Sequence, residues 1–162
     1  MDVYLIRHAE AKPLGEDNIR DDADRPLTKA GQAQAKTVAT GLRAKGVRLG
    51  ILVSSPLLRA RQTAEGILGQ WPKPAPELRM CDALAPGSKP RKLSRFLREL
   101  GSDPVGLVGH MPDLGEYAAW LIGSKKAQID LAKAGIAHIS CSDGPRKGSG
   151  TLVWLVTPDW FA

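Results

Sequence analysis

The sequence predicts an α/β protein, a three-layer sandwich with a mostly parallel central sheet, helices on both faces and an antiparallel hairpin at the C-terminus. Three short apolar segments, beginning near residues 2, 51 and 105, are each followed by a polar loop and a segment of helical periodicity, which is typical of a parallel sheet. Two later apolar segments, 136–141 and 151–156, flank a stretch rich in Gly and Ser and predict the hairpin. With 162 residues, 43% of them hydrophobic, the chain suits a single domain over residues 1–162.

The first apolar segment ends in charged side chains. Val, Tyr, Leu and Ile fill residues 3–6, a run that is too short for a helix and typical of a buried strand over residues 2–7. Arg7 and His8 follow at the carboxyl end of this strand, beyond which open α/β sheets bind their ligands. We therefore expect both side chains to line a functional crevice.

A polar loop follows, from Lys12 to Pro26. It carries a cluster of five acidic side chains, which are Glu16, Asp17, Asp21, Asp22 and Asp24. Such a segment is typically a solvated acidic loop. Because the loop begins directly behind His8, the alternative is a rim that helps to select substrates.

A helix is predicted after this loop by signals at both of its ends. Thr28 fits the N-cap, and the helix should run to about residue 45, with Gly46 as its stop. Its packed face consists of Ala35, Val38, Ala39 and Leu42.

The second strand, at 51–53, leads to another helix. Pro56 fits the first turn of a helix over 57–68, and a preceding serine can cap its free N–H groups. Arg59 and Arg61 fall in the first turn, where a cation opposes the helix dipole unless an anion binds nearby. The pattern therefore favours an anion site at this helix.

The middle of the chain ends in a third strand. Residues 70–90 are rich in proline and predict a connector with a short extended piece near 77–80. A helix over 89–100 follows, with apolar residues in 3-4-3 spacing, and then a strand at 105–109 that ends at His110. A helix from about residue 112 to 122 comes next. His138, inside the hairpin and outside any motif, is expected to be structural.

Composition and charge narrow the class of protein. Lys and Arg outnumber Asp and Glu by 23 to 17, but the cations are dispersed and no recognition motif is visible, so we expect no nucleic-acid partner. Cys81 and Cys141 have neither metal-ligand spacing nor a disulfide-rich context and are expected to be buried thiols. The N-terminal apolar run is too short for a signal peptide or a membrane span. We expect a cytoplasmic protein with no membrane association.

Four side chains at strand and helix ends could converge on one crevice: Arg7, His8, Arg59 and His110. Two arginines make a poor metal site, because a guanidinium repels a cation. They suit an oxyanion, since guanidinium groups bind phosphate through paired, charge-assisted hydrogen bonds.

These residues lie in motifs that resemble the histidine phosphatase superfamily, and within it the small SixA-like phosphohistidine phosphatases. The first motif, Arg7-His8-Ala9, resembles the Arg-His-Gly signature of the family, with alanine in place of glycine. Three further segments resemble its other motifs in the right order, and these are Arg25 to Gly31, Ser54 to Ala64 and Val108 to Pro112. The resemblance implies the phosphoglycerate mutase-like fold.

The resemblance also implies a mechanism that needs no metal or cofactor. His8 is then the nucleophile that forms a phosphohistidine intermediate, while Arg7, Arg59 and His110 bind the phosphoryl oxygens. Ala9 places a methyl group near the phosphate, so the geometry of the nucleophile is an open question. A general acid is not evident; Asp82 lies roughly where the family has one, with an ordinary loop carboxylate as the alternative.

The implied substrate is a phosphohistidine-bearing protein, such as a domain of a histidine-kinase phosphorelay in signal transduction, acted on by a monomer. A missing acid favours P–N substrates, because a protonated phosphoimidazole leaves as a neutral ring. The short connection between the second arginine motif and the second histidine motif also suits an open site. A small phosphorylated substrate, cleaved by a phosphomonoesterase of the same superfamily, is one alternative. A non-catalytic module that binds phosphate groups is another.

Overall fold

The fold is built on one six-stranded sheet in a computed structural model that describes residues 1–161. The strands are β1 (Asp2–Arg7), β2 (Ile51–Ser54), β3 (Glu77–Met80), β4 (Val105–Gly109), β5 (Ile136–Cys141) and β6 (Gly150–Val156). Their order across the sheet is β3-β2-β4-β1-β5-β6. The first four are mutually parallel, whereas β5 pairs antiparallel with β1 and with β6. The predicted fold class, including the C-terminal hairpin, is confirmed.

Four helices cover the two faces of the sheet. They are α1 (Lys29–Ala44), α2 (Leu58–Gly69), α3 (Pro90–Leu100) and α4 (Asp113–Leu121). Side chains of a strand alternate between faces, so Tyr4 and Ile6 of β1 pack with the buried residues of α1 and α2. Val3 and Leu5 pack on the opposite face with those of α3 and α4. This arrangement gives the three predicted layers.

The signals at the ends of α1 and α2 differ in how well they locate the helices. The hydroxyl oxygen of Thr28 accepts a hydrogen bond from the Gly31 amide at 3.0 Å, as expected of an N-cap. The prediction for α2 was wrong in detail, because its N-cap is Leu57 and Pro56 lies before the helix. The Ser55 hydroxyl accepts from the Leu57 amide at 3.3 Å and so closes a turn ahead of the helix.

The approach of α1 to the end of β1 requires a glycine. A Cβ atom at Gly31 would overlap the carbonyl oxygen of Glu10. The same carbonyl oxygen accepts a hydrogen bond from the Thr28 amide at 3.0 Å. The first turn of α1 therefore rests on the backbone two residues after His8, and this contact fixes where the chain goes beyond the strand.

The parallel strands end at one edge of the sheet, and their ends are joined directly. Arg7 pairs with Gly109 in the register between β1 and β4. The His8 amide donates to the Gly109 carbonyl at 3.0 Å, and the Ser55 amide donates to the Val108 carbonyl at 2.9 Å. The loops that follow β1, β2 and β4 consequently leave the sheet side by side.

The acidic loop has little regular secondary structure. The loop contains two short 3-10 turns, Glu16–Asn18 and Asp22–Asp24. Cys81 and Cys141 are both buried and free, as predicted. Within residues 1–161, none of the helices has the length and apolar character needed to cross a membrane.

Candidate active site

Three of the four predicted site residues meet at the edge where the parallel strands end. His8, Arg59 and His110 are nearly inaccessible, with exposed fractions of 4%, 5% and 3%. The two imidazole rings lie 5.1 Å apart between centroids. Arg59 Nε lies 3.3 Å from His8 Nε2. A buried guanidinium group next to two imidazoles is a set of donors that suits an anion.

The orientation of His8 is fixed by its two ring nitrogens. Nδ1 lies 2.8 Å from the carbonyl oxygen of Ala9, which can only accept a hydrogen bond. Nδ1 therefore carries the proton, and Nε2 keeps a lone pair that accepts from the Nε–H of Arg59. The unprotonated nitrogen is thus the one that faces the guanidinium group.

The backbone after His8 is tied to α2. The Ala9 amide donates to the hydroxyl oxygen of Thr63 at 3.0 Å, and that hydroxyl donates to the Arg59 carbonyl at 2.7 Å. Ala9 is fully buried, and its φ is not positive. The backbone at this position therefore does not require glycine, and the methyl group is accommodated.

His110 is oriented by Ser55. His110 Nε2 lies 2.8 Å from the Ser55 hydroxyl, which also accepts from the Leu57 amide. If the hydroxyl accepts from the amide, its own proton is free to bond Nε2, and the proton of the imidazole is then on Nδ1. Nδ1 is buried and has no hydrogen-bond partner among the described residues. In this tautomer, His110 has an unpaired Nδ1–H donor.

Arg59 is also held by the acidic loop. Its Nη1 donates to the Asp22 carbonyl at 2.6 Å and its Nη2 to the Asp22 carboxylate at 2.9 Å. Arg25 donates to the other carboxylate oxygen at 2.9 Å. The pKa of Asp22 is lowered, chiefly by the hydrogen bond from Arg25 and then by that from Arg59. An ionised carboxylate thus occupies the outer side of the guanidinium group.

Arg7 is at the same strand end but has a different partner. Its Nη1 donates to the carbonyl oxygen of Leu131 at 2.7 Å. Its Nε is buried without a hydrogen-bond partner, and no hydrogen bond among residues 1–161 joins it to His8 or Arg59. Arg7 therefore fastens the segment before β5 to the edge of the site.

Burial keeps both histidines neutral. The pKa of His8 is lowered to about 3, mainly by burial and secondarily by the nearby charges of Lys133 and Arg59. Burial, followed by the charge of Arg59, lowers the pKa of His110 to about 4. The pKa of Lys133 falls to about 8 because it is half-buried close to three arginines. The site is thus a cationic pocket around neutral imidazoles.

Several of these residues were missed by the sequence analysis. Ser55, Thr63, Asp22 and Lys133 contact or face the predicted residues. Ser55 and Thr63 lie within the motif from Ser54 to Ala64, and Asp22 lies in the loop behind His8, but Lys133 had no signal. Asp82 is exposed and lines a surface groove beside α3, not the cavity at His110. Across the described chain, no three His, Cys, Asp or Glu side chains are close enough to hold a metal ion.

Comparison with known proteins adds the family context. The family model for the histidine phosphatase superfamily (branch 1) matches residues 3–84. An uncharacterized protein of Picosynechococcus sp. is 35% identical, and the alignment covers 99% of both chains. The phosphohistidine phosphatase SixA of Escherichia coli K12 is 26% identical over 98% of this chain and 94% of its own. A structure of the protein histidine phosphatase SixA complexed with tungstate superposes with a TM-score of 0.84 at 25% identity, covering both chains completely.

Proposed function

The chain belongs to the histidine phosphatase superfamily, and from this premise we propose that it removes phosphate from phosphohistidine in proteins through a covalent intermediate on His8. The main support is the neutral imidazole of His8, whose Nε2 lone pair is directed at Arg59. A nucleophile must be unprotonated at the attacking atom, and a pKa of about 3 keeps it so at neutral pH.

In the first step, His8 Nε2 attacks the phosphorus atom of the substrate. A bond forms between Nε2 and phosphorus, and the bond from phosphorus to the substrate imidazole breaks. The electron pair goes to the substrate ring, which is protonated on its other nitrogen and therefore leaves neutral. His8 becomes a phosphoimidazolium, and its Nδ1–H continues to donate to the Ala9 carbonyl. Two imidazoles exchange one phosphoryl group, so no proton has to move.

The cations around His8 have the electrostatic task. Phosphoryl transfer depends mainly on positioning and on stabilising charge on the equatorial oxygens. Arg59 Nε lies next to the nucleophile, and the His110 ring is 5.1 Å from the His8 ring. We assign Arg59, and His110 with its proton on Nδ1, to those oxygens. Arg7 is assigned to the same group of ligands by its family motif, although its hydrogen bond to Leu131 gives it a second, structural role.

In the second step, water attacks the phosphorus atom on His8. The Nε2–phosphorus bond breaks, its electron pair returns to Nε2, and the two protons of the water stay on the phosphate as dihydrogen phosphate. The enzyme is restored with Nδ1–H still bonded to Ala9. Because the protein itself supplies the cations and the nucleophile, the mechanism requires no metal ion or cofactor.

Neither Asp22 nor the sequence candidate Asp82 can act as the acid that a phosphate monoester needs, which favours a P–N substrate. Asp113, which lines the cavity at His110, has a carboxylate oxygen that accepts from the Gly87 amide at 3.0 Å. An alkoxide leaving group needs a carboxylic acid that holds its proton at neutral pH. The carboxylate that contacts Arg59 belongs to Asp22, whose pKa is lowered, so it is ionised and cannot donate. Asp82 is outside the cavity at His110. A protonated phosphohistidine does not need such an acid.

The proposal is tested by phosphate release from a phosphohistidine-bearing protein domain in EDTA. We expect the native chain to turn over this substrate at a rate that EDTA does not change, and the His8→Ala variant to be inactive. His138→Gln is the matched control, because His138 bonds Asp2 on the sheet and has no contact with the site.

The alternatives predict different results in the same assay. Hydrolysis of a sugar phosphate or a nucleoside monophosphate, with no release from phosphohistidine, would assign the protein to the small-molecule phosphomonoesterases. Binding of the phosphoprotein without turnover, unaffected by His8→Ala, would indicate a phosphate-binding module.

A further inference from the structure

Helix α3 carries a basic outer face. Its buried side is apolar and includes Leu93 and Leu97. The exposed side carries four cations, which are Arg91, Lys92, Arg95 and Arg98. The first three lie in the N-terminal half of the helix and span roughly 6 Å along its axis, at 1.5 Å of rise per residue.

These cations outnumber the acidic residues near them, which are Glu99 on the same helix and Asp82 across the neighbouring groove. The first turn of α3 holds no acidic residue, so Arg91 and Lys92 oppose the positive end of the helix dipole. Among the described residues, none of the four takes part in a salt bridge. Arg98 alone has a protein acceptor, the Pro145 carbonyl at 3.4 Å. The face therefore keeps an excess of positive charge, with four cations on α3 against the single acid Glu99, which is complementary to an anionic partner.

The basic face begins beside the candidate active site. In a parallel α/β unit the helix starts at the sheet edge where the preceding strand ends, and this edge holds His8 and His110. Lys89 and Pro90, at the start of α3, line the same small cavity as His110. A partner that reaches the His110 side of the site would thus lie next to the start of α3.

A groove next to this face has an apolar side. Lys92 and Arg95 line it together with Phe96 and Met80, and its volume is about 400 Å³. The carboxylates of Asp82 and Glu99 lie at the same groove, so the excess positive charge of the face comes from Arg91 and Arg98 as well. Met80 is 43% exposed, although it is a large apolar side chain. Cations next to exposed apolar surface match a folded protein partner with acidic and apolar side chains, more than a free phosphate ion or a sugar phosphate.

We propose that Arg91, Lys92, Arg95 and Met80 form a docking surface for an acidic face of the protein domain that carries the phosphohistidine. This inference rests on the proposed function and names the partner by its chemistry. The surface attracts the acidic domain and holds it while its phosphohistidine enters the site. Surface charges of this kind act mainly on the rate of association and on its dependence on salt.

The test is the triple variant Arg91→Gln, Lys92→Gln, Arg95→Gln. All three side chains are exposed and unpaired, so the fold should be retained. The matched control is Lys36→Gln, Arg48→Gln, Lys73→Gln, which removes the same charge from exposed positions on α1 and at the opposite end of the sheet. Both variants are assayed with a phosphohistidine protein of acidic surface and with phosphoramidate, a small P–N compound.

We expect the KM for the protein to rise about tenfold in the α3 variant, because exposed charge pairs contribute modestly and three are lost. Its kcat should stay unchanged, and so should kcat/KM for phosphoramidate. At high salt the KM values of the variant and the native chain should become equal, because salt screens the attraction between the basic face and the acidic domain. The control variant should behave like the native chain.

Three results would overturn the docking surface. They are an unchanged KM for the protein, an equal loss with phosphoramidate, or an equal loss in the control variant. Loss of binding to a nucleic-acid oligonucleotide with unchanged protein turnover would assign the basic face to another class of partner. Titration with the unphosphorylated domain measures docking separately. Failure of the native chain to release phosphate therefore counts against the proposed function alone, and equal affinities of native and variant chains count against the surface.

Discussion

Asp22 competes with the substrate for Arg59, and its removal should tighten the binding of phosphate. Its carboxylate lies 2.9 Å from Nη2 of Arg59, which we assign to the phosphoryl oxygens. The Asp22→Asn variant keeps the size of the side chain and an oxygen acceptor, and it removes only the negative charge. We expect Arg59 to stay in position, because its bond to the Asp22 backbone carbonyl is retained.

The size of the effect follows from the charges and the exposure of Asp22. The carboxylate is 52% exposed, so the dielectric constant of water is the appropriate limit. A single charge about 6 Å from a phosphate dianion then costs about 1.4 kcal/mol of binding free energy, which corresponds to about a tenfold change in affinity. The binding of inorganic phosphate at pH 7, measured by titration calorimetry, should be about tenfold tighter in Asp22→Asn.

The matched control is Asp24→Asn, which changes the same charge two positions along the loop without a contact to Arg59. We expect its affinity for phosphate to be close to that of the native chain. Equal tightening in both variants would mean that only the net charge of the loop matters. Unchanged or weaker binding in Asp22→Asn would refute the competition for Arg59.

Three further predictions concern the histidines and their supports. Ser55→Ala removes the hydroxyl that bonds His110 Nε2 and should lower kcat roughly tenfold at an unchanged KM. Ser54→Ala is the control, because the Ser54 hydroxyl bonds only the Ser55 carbonyl, and its kcat should be that of the native chain. Equal losses of kcat in both variants would contradict the role of Ser55. Ala9→Gly should lower the free energy of unfolding in urea by about 1 kcal/mol, because a buried methyl is lost and the unfolded chain gains freedom. Its activity should stay within about twofold of the native value. A large gain in activity would show that the methyl obstructs the site. The pKa values of about 3 for His8 and about 4 for His110 lie below the usual value near 6.5. The free energy of unfolding should therefore be highest above pH 6.5 and should fall as the pH drops towards 4. The expected slope is up to about 1.4 kcal/mol per pH unit for each histidine. The same slope in His8→Asn would contradict the burial of a neutral imidazole.

The fold could be predicted because local signals and topology agree. Apolar segments alternate with amphipathic ones, and parallel strands must end at one edge of the sheet. His8, Arg59 and His110, from three distant segments, lie together at this edge. The start of α2 was less certain, since the signal of Pro56 and the serines fits a turn as well as a helix.

The partners of these residues could not be predicted, since they depend on tertiary contacts between loops. Asp22 is one of five similar acids, and nothing local distinguishes the one that reaches Arg59, 37 positions away. Lys133 lies in an irregular segment whose path is set by the pairing of β5 with β1. The hydrogen bond from Arg7 to Leu131 spans 124 positions. Such contacts follow from the fold and not from a sequence pattern.

The central claim is that His8 carries the phosphoryl group during turnover. The most direct measurement mixes the protein rapidly with a phosphohistidine protein bearing radiolabelled phosphate, in EDTA, quenches in alkali and locates the label by peptide mapping. We predict a label on the peptide that contains His8, which forms and decays at the rate of phosphate release and is absent from His8→Ala. Phosphate release without any labelled enzyme, or with the label on another residue, would contradict it.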